Sequence, residues 1–214
     1  MSSSNCDNVS DSANFFSTVQ KPFPNIEEGK INTLDFIDAA RGVVTLVEKL
    51  GSVFTPVKYD MNGNIEKILK RYDTDVHMNG TLHDMALREQ AEGGTNATEA
   101  LLWLTRALHF IELFLEQILN EATETAVASE NISKELAHAY SLSVKPYHGW
   151  VTQKLFTLVF RLCPTRSQFF SSLEMTDRDR FFKDVEYFTH RLRENRMEIQ
   201  SFYAIHKLGN NNVV

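Results

Sequence analysis

The sequence predicts an all-α protein, and three observations lead to this fold class. Apolar residues recur at helical spacing along almost the whole chain after Pro24. Segments in which apolar and polar residues alternate between turn residues, as they do in strands, are missing. Only 9 of the 214 residues are Gly and 5 are Pro, so few residues interrupt the helical pattern.

The chain divides into a tail and a helical part. Residues 1–16 are rich in Ser, Asn and Asp, so we predict a disordered tail over residues 1–24. Residues 25–214 are predicted to form a single domain, which is long enough to bury a sizeable core. The expected helices, about eight in number, cover residues 32–50, 57–72, 82–91, 96–126, 133–144, 148–162, 166–173 and 176–206.

Local signals support the boundaries of these helices. The segment NTLDFI, Asn32–Ile37, begins the first helix, and Gly51 is its stop signal. Either Thr95 or Asn96 is expected to cap the fourth and longest helix. Because this helix is apolar on several faces, we expect it to be central and largely buried.

Composition and charge exclude several classes of protein. A formal net charge of −6 gives no electrostatic footprint for nucleic acid, so no nucleic-acid partner is expected. Two cysteines, Cys6 and Cys163, cannot build a disulfide framework, which favours a reducing compartment. No apolar run reaches 18 residues and no secretory signal precedes Lys21, so a cytoplasmic location is predicted.

The charge is unevenly distributed along the chain. Residues 1–144 contain 11 basic and 21 acidic residues, whereas residues 145–214 contain 11 basic and 7 acidic residues. The basic excess of the last third suggests an anionic partner such as a membrane surface, although solvated helix faces would give the same pattern.

The first candidate site is a polar row in VFTPVKYDMNGNIEKILKRY, residues 53–72. Asp60, Asn64, Lys67 and Arg71 share one helical face beside an apolar stripe. Their acceptors and donors suit a ligand with a polar head and an apolar body. Spacing alone is more typical of an ordinary boundary face of an amphipathic helix.

Two further segments contain candidate binding residues. In ALLWLTRALHF, residues 100–110, Trp103 offers a flat apolar platform for a sugar ring or a base, although such a Trp is more often core. In KPYHGWVTQKLF, residues 145–156, His148 precedes a helix but has no nucleophile or metal-ligand partner at a recognisable spacing. Glycine-rich phosphate loops are also missing. An enzyme is therefore unsupported, and no metal or cofactor is expected.

Taken together and in this order, the three segments resemble the glycolipid transfer protein family, whose members carry sphingolipids between membranes. The resemblance runs from about Asp35 to about Lys207. It implies an all-helical, two-layer sandwich in which a surface head-group site opens onto an apolar pocket for the ceramide chains. It also implies a non-enzymatic intermembrane carrier with a glycosphingolipid ligand and a transient membrane surface as partners.

The resemblance assigns roles to individual positions. Asp60, Asn64 and Lys67 match head-group binders, Trp103 matches the sugar platform, and His148 matches the histidine that bonds the ceramide amide carbonyl. The apolar pocket is matched by Phe110, Val144 and Phe156. Trp150 matches an aromatic residue of the membrane-docking surface, with Lys154 one turn further on.

Two departures and two alternatives accompany this prediction. Glu99 stands where the glycolipid-binding branch commonly has an apolar residue, and the chain ends in Asn212-Val213-Val214 without the tyrosine found near the end of animal members. A ceramide-1-phosphate carrier or sensor would use Lys67, Arg71 and Arg106 to hold a phosphate. The other alternative is a helical module that binds a partner protein.

One short motif suggests a possible protein partner. Residues 14–17, Asn-Phe-Phe-Ser, bear a faint likeness to the paired-phenylalanine motifs that bind endoplasmic-reticulum membrane receptors. The acidic flank of such motifs is weak in this chain. A receptor of this kind is therefore the weakest of the predicted partners.

Overall fold

The computed structural model describes residues 13–18, 21–124 and 129–209 of the chain. Within these residues it contains nine α-helices and no strand. Two 3₁₀ turns, Ser52–Phe54 and Lys145–Tyr147, precede α3 and α7. The helices are α1 Phe15–Thr18, α2 Thr33–Lys49, α3 Thr55–Tyr72, α4 Leu82–Ala91, α5 Asn96–Glu124, α6 Ser133–Leu142, α7 Trp150–Arg161, α8 Arg166–Ser172 and α9 Arg178–His206.

Short polar side chains begin four of the helices. Asn32, Thr81, Thr165 and Asp177 each accept a hydrogen bond from a backbone N–H in the first turn of the helix that follows. These bonds satisfy donors that have no partner within the helix. After α2, Gly51 adopts a φ of 98°, a left-handed conformation in which a Cβ would be strained, so the predicted stop at this glycine is confirmed.

The start of α5 differs from the prediction that Thr95 or Asn96 caps it. Glu89 of α4 supplies the side-chain acceptor, and its carboxylate receives hydrogen bonds from the backbone N–H groups of Ala97 at 2.9 Å and Thr98 at 2.7 Å. A carboxylate is favoured at this end of a helix, because the N–H dipoles point toward it. Because this acceptor belongs to the preceding helix, it could not be predicted from the residues next to the start of α5.

Helix α5 is the central element of the fold. It packs against α3, α6 and α9, with smaller contacts to α2 and α4. Its buried apolar residues face several of these neighbours, as the sequence predicts for a helix that is apolar on more than one face. The largest of them are Leu101, Leu104, Leu108, Phe110, Ile111, Phe114, Leu115 and Ile118.

The predicted disordered tail is wrong for the part of it that the structure describes. Phe15 and Phe16 form part of α1 and are 3% and 7% exposed, and Phe23 is fully buried. The Phe16 ring lies 5.7 Å from the ring of Phe181 and 5.4 Å from that of Phe188, both on α9. Burial of these rings against a distant helix offsets the entropy lost by ordering the segment.

Two buried ion pairs fix helices around the core. Glu112 of α5 accepts two hydrogen bonds from the guanidinium group of Arg196 on α9. Glu135 of α6 pairs with Arg166 of α8 at 2.8 Å, and both side chains are buried. Each pair satisfies charges that would be costly if left alone inside the protein. Across the described ranges, no helix has both the length and the apolar character needed to cross a membrane.

Candidate functional site

The polar row of α3 lies beside a cavity, with Asp60 at its wall. The Asp60 carboxylate accepts a hydrogen bond of 3.2 Å from the amide of Asn64, which is 4% exposed. Although Asp60 as a whole is exposed, surrounding protein atoms desolvate its carboxyl and raise its pKa, while the charge of Lys67 acts in the opposite direction. The row therefore holds a poorly hydrated carboxylate that can accept hydrogen bonds from a ligand.

A stack of aromatic and cationic groups forms the next part of the site. The indole of Trp103 on α5 stacks on the ring of His148, with 6.3 Å between centroids and 14° between planes. The guanidinium carbon of Arg106 lies 4.7 Å from the Trp103 ring centre and 3.5 Å from that of Tyr147. These contacts fix the orientation of the indole without covering it, since Trp103 remains partly exposed.

His148 lies in the turn before α7, because its backbone is extended and the helix begins only at Trp150. The sequence predicted a helix from His148. The hydroxyl oxygen of Tyr140 is 3.0 Å from His148 Nδ1, and burial raises the Tyr140 pKa to about 12. Burial also lowers the His148 pKa, so the ring is neutral near pH 7. With a neutral ring this bond has two forms. Either Tyr140 donates to Nδ1 and the ring proton lies on Nε2, or Nδ1–H donates to the Tyr140 oxygen.

These groups surround a cavity of about 220 Å³ between α3, α5 and α7. Six of the predicted site residues line it, namely Asp60, Trp103, Phe110, Val144, His148 and Phe156. Asn64 and Lys67 do not line it: Asn64 donates a hydrogen bond to Asp60, and Lys67 is exposed further along α3. The cavity thus combines polar groups with apolar walls.

Several residues of the site were missed by the sequence analysis. Pro56, Val57, Ala107, Thr152 and Leu155 also line the cavity. Four of these lie three or four residues from a predicted site residue on the same helix, so helical spacing could have identified them. Tyr140 also lies four residues before Val144 in the helix predicted over 133–144, but its hydrogen bond to His148 across the turn between α6 and α7 had no local signal.

Helix α7 presents an exposed apolar surface at the edge of the cavity. Trp150 is 70% exposed, and the ammonium group of Lys154 lies 4.9 Å from its ring centre. Val151, Leu155, Leu158 and Leu162 extend this surface and are also largely exposed. We name the surface formed by these six side chains the α7 face. So many exposed large apolar groups on one helix indicate a surface that contacts an apolar partner.

Two of the three cations of the alternative phosphate cluster, Arg71 and Arg106, already have other partners. Arg71 donates to Glu92 at 2.7 Å, and Arg106 is held between Trp103 and Tyr147. Glu99 is exposed in the first turn of α5, one turn before Trp103. In the part of the chain that the structure describes, no group of three or more His, Cys, Asp or Glu side chains could hold a metal ion.

Two motifs at the chain ends differ in how far the structure describes them. The side chains of Phe15 and Phe16 are buried against the protein, so they are not presented to a receptor. The expectation drawn from Asn212-Val213-Val214 lies outside the described residues. On α9, the hydroxyl of Tyr203 donates to the backbone oxygen of Thr98 at 2.7 Å, which ties that helix to the start of α5.

The chain is similar in sequence to known lipid transfer proteins. The family described as "Glycolipid transfer protein (GLTP)" matches residues 31–175. A glycolipid transfer protein from Aureobasidium melanogenum is 35% identical over 162 residues, covering 74% of this chain and 78% of the relative. Pleckstrin homology domain-containing family A member 8 from Mus musculus is 32% identical over 216 residues, which are 94% of this chain and 40% of that protein. The chain thus spans about two fifths of the length of this relative.

A solved structure gives the same result for the fold. The structure that describes how FAPP2 selects simple glycosphingolipids using the GLTP-fold matches with a TM-score of 0.84 at 29% identity. The match covers 94% of this chain and 100% of that one. The predicted all-α fold and the resemblance drawn from the three motifs are both confirmed. The chain belongs to the glycolipid transfer protein family, whose members are lipid transfer proteins and not enzymes.

Proposed function

We propose that this chain is a non-enzymatic carrier that moves glycosphingolipids between membranes. The observation that carries the proposal is the cavity in which Asp60, Trp103 and His148 meet apolar walls. A glycosphingolipid has the same division, with a sugar and an amide at one end and two hydrocarbon chains at the other. The same ligand class is supported by two comparisons. The chain belongs to the glycolipid transfer protein family, and it is 29% identical to FAPP2, whose structure describes how that protein selects simple glycosphingolipids.

Each group at the site has a distinct role in this proposal. The Asp60 carboxylate accepts hydrogen bonds from sugar hydroxyls and from the ceramide amide N–H. In this proposal Tyr140 donates to Nδ1, so the Nε2–H group of His148 donates to the amide carbonyl. The Trp103 indole lies under the first sugar ring as an apolar platform. Asn64 orients Asp60 through its amide, and Lys67 extends the polar row toward the outer part of the head group.

Transfer through water requires an apolar pocket but no covalent chemistry. Moving a two-chain lipid into water exposes on the order of 30 methylene groups at roughly 0.8 kcal/mol each, so unassisted exchange is very slow. The pocket formed by Phe110, Val144 and Phe156 shelters part of this surface. Its volume of about 220 Å³ is below the roughly 300–1,000 Å³ of common ligand pockets, so both chains enter only if the walls move apart.

The α7 face is the proposed docking surface for the membrane. Trp150 and the aliphatic side chains of this face bury apolar area at the lipid interface, where an indole is favoured. Because Leu155 belongs to both the α7 face and the cavity wall, docking brings the pocket opening to the bilayer from which the lipid is taken.

The polar groups favour a sugar over a phosphate. A phosphate site would need several cations directed at one anion, whereas Arg71 pairs with Glu92 and Arg106 stacks on two aromatic rings. Of the three cations, Lys67 is exposed on α3 away from the cavity. Trp103 occupies the position where a phosphate-binding branch of the family has a basic residue. Ceramide-1-phosphate is therefore the second candidate ligand, and no observation on this chain raises it above a glycosphingolipid.

A vesicle transfer assay tests the proposal. The chain is mixed with donor vesicles that contain fluorescent glucosylceramide, ceramide-1-phosphate or phosphatidylcholine with matched acyl chains, and transfer to acceptor vesicles is followed. We expect glucosylceramide to move much faster than the other two lipids. Faster transfer of ceramide-1-phosphate would select the second candidate. Equal rates for glucosylceramide and phosphatidylcholine, or no transfer of any lipid, would reject the carrier and favour a helical interaction module.

A further inference from the structure

A second groove lies on the opposite side of α7 from the cavity. It runs between α6 and α7, has a volume of about 530 Å³ and opens to solvent. Lys134, Lys145, Lys154 and Arg161 line it, together with small, polar and aromatic residues, and no acidic side chain lines it. Four cations thus surround one groove in a chain whose net charge is −6.

The cations of this groove are not used in ion pairs. Among the described residues, none of the four has a carboxylate within 4.0 Å, whereas basic residues elsewhere, such as Arg88 and Arg196, pair with one or two. Lys154 is near the ring of Trp150, which attracts a cation but does not neutralise it. The groove therefore keeps a positive potential that an anion can neutralise.

The helical geometry of α7 places this charge beside the α7 face. Lys154 and Arg161 are seven residues apart, so they point in nearly the same direction and border the groove. The aliphatic residues of the α7 face, Val151 to Leu162, lie on the neighbouring side of the same helix. When apolar side chains enter a bilayer surface, cations beside them lie at the depth of the lipid phosphates.

We propose that the α6–α7 groove binds the phosphate-bearing headgroup of an anionic phospholipid in the membrane on which α7 docks. This goes beyond the carrier function, because the headgroup is neither cargo nor part of the cargo site. It rests on docking through the α7 face, but not on which lipid is carried. Binding on one side of α7 orients the protein so that the cavity, on the other side, faces the same bilayer. Contact with an anionic leaflet therefore strengthens docking without changing the pocket.

The test compares two variants that remove the same amount of charge. The groove variant carries Lys134→Gln, Lys145→Gln and Arg161→Gln, which leaves the Trp150–Lys154 contact in place. The control variant carries Lys49→Gln, Lys183→Gln and Lys207→Gln, and none of these residues lines the groove. Partition of each protein to phosphatidylcholine vesicles is measured with and without phosphatidic acid, at fixed ionic strength, and a thermal melt verifies the fold.

We expect phosphatidic acid to raise the affinity of the parent protein by about tenfold or more, since each basic residue near an anionic surface contributes to binding. The groove variant should lose most of this gain and keep its affinity for pure phosphatidylcholine. The control variant should keep the gain to within about threefold. A gain that survives in the groove variant, an equal loss in the control, or no gain in the parent protein would each overturn the proposal.

Uptake of glucosylceramide from phosphatidylcholine vesicles separates this inference from the proposed function. The groove variant should take up the lipid at the parental rate, because its cavity is unchanged. If the parent protein takes up no glycolipid but still shows a groove-dependent gain with phosphatidic acid, the carrier function fails and the headgroup site stands. Tight binding of the groove to an acidic peptide with no gain on phosphatidic acid would instead assign it to a protein partner and reject the lipid headgroup.

Discussion

At the residue scale, the charge on Asp60 is the part of the cargo site that can be removed with least disturbance. Asp60→Asn keeps an oxygen that accepts from the buried amide of Asn64, so the fold should be retained. Hydrogen bonds to a charged group contribute roughly 1 kcal/mol more than neutral ones. We expect glucosylceramide to bind about fivefold to tenfold more weakly, measured by fluorescence titration.

The same variant has a second signature in its pH dependence. The ionised carboxylate is the better acceptor, so the affinity of the parent protein should fall as the pH drops through the Asp60 pKa. Because desolvation raises that pKa, the fall should begin at a higher pH than for an ordinary Asp with a pKa of 3.8. Asp60→Asn should remove this part of the profile. An unchanged profile in the variant would show that Asp60 does not contact the ligand.

Tyr140 is expected to act by positioning His148. Tyr140→Phe removes the hydroxyl that is hydrogen-bonded to Nδ1 and keeps the ring that stacks on Phe156 at 4.6 Å. The two ring tautomers of His148 should then both be populated, and glycolipid affinity should fall about threefold to tenfold, the value of one neutral hydrogen bond. Nitrogen NMR of His148 reports the tautomers directly. Tyr187→Phe, on the exposed surface of α9, is the control, and a single Nε2–H tautomer in Tyr140→Phe would contradict the assignment.

These residues show what the sequence could and could not predict about the site. The helical spacing of Asp60 and Asn64 placed both on one face, and the structure joins them by a hydrogen bond. The spacing also predicted Lys67 on that face, but the cavity does not extend to it. The contact between Tyr140 and His148 could not be predicted, because it depends on the angle between α6 and α7, which no local pattern specifies.

At the scale of secondary-structure elements, α1 gives the sharpest difference from the sequence prediction. A disordered tail would tolerate Phe16→Ala, whereas the buried ring predicts a loss of about 3–5 kcal/mol in the free energy of unfolding. Val76→Ala, at a position that is 46% exposed, should change stability by about half a kcal/mol at most. Chemical denaturation measures both. Equal stability of the two variants would show that α1 does not dock in solution.

The remaining helices were predictable because each one carries its own periodic pattern. The predicted bounds of α4 agree with the structure, and those of α3, α6, α8 and α9 differ by one or two residues at an end. The failure at α1 has a physical cause: two phenylalanines in a Ser- and Asn-rich stretch bury against α9, which is more than 160 residues away. Local composition contains no information about such a contact.

The exposed indole of α7 provides the second prediction for an element. Trp150→Ala should weaken partition to phosphatidylcholine vesicles by about tenfold or more, because burying a large apolar side chain contributes roughly 1.5–3 kcal/mol. Since Trp150 is 70% exposed, the thermal melt should be unchanged. Tyr187→Ala on α9 is the matched control, as its aromatic ring is 60% exposed but lies outside the α7 face. A large drop in the melting temperature of Trp150→Ala would refute the docking role.

At the scale of the whole molecule, the fold separates a rigid part from a part that can move. The central helix α5 is buried against α3, α6 and α9, whereas α7 packs mainly against α6 and exposes one complete face. The cavity is smaller than the lipid it is proposed to hold, so its walls have to move apart during uptake. We expect α7 to move most easily, because it packs against fewer helices than α3 or α5. The element proposed to dock on the membrane is thus also a wall of the pocket. We therefore expect docking and uptake to be coupled through one helix.

This coupling predicts how cargo changes the stability of the whole protein. A ligand that binds only the folded state stabilises it by RT ln(1 + [L]/Kd), which is about 2.7 kcal/mol at a hundredfold excess over Kd. For a chain of about 200 residues this raises the melting temperature by roughly 5–10 °C. The free energy needed to widen the pocket makes this increase smaller. Glucosylceramide in detergent should produce this shift in a calorimetric scan, and phosphatidylcholine in the same detergent should not. Asp60→Asn should show a smaller shift at the same lipid concentration, because its Kd is higher. A shift of the same size with phosphatidylcholine would mean that the pocket recognises hydrocarbon chains alone and that the polar row contributes no selectivity.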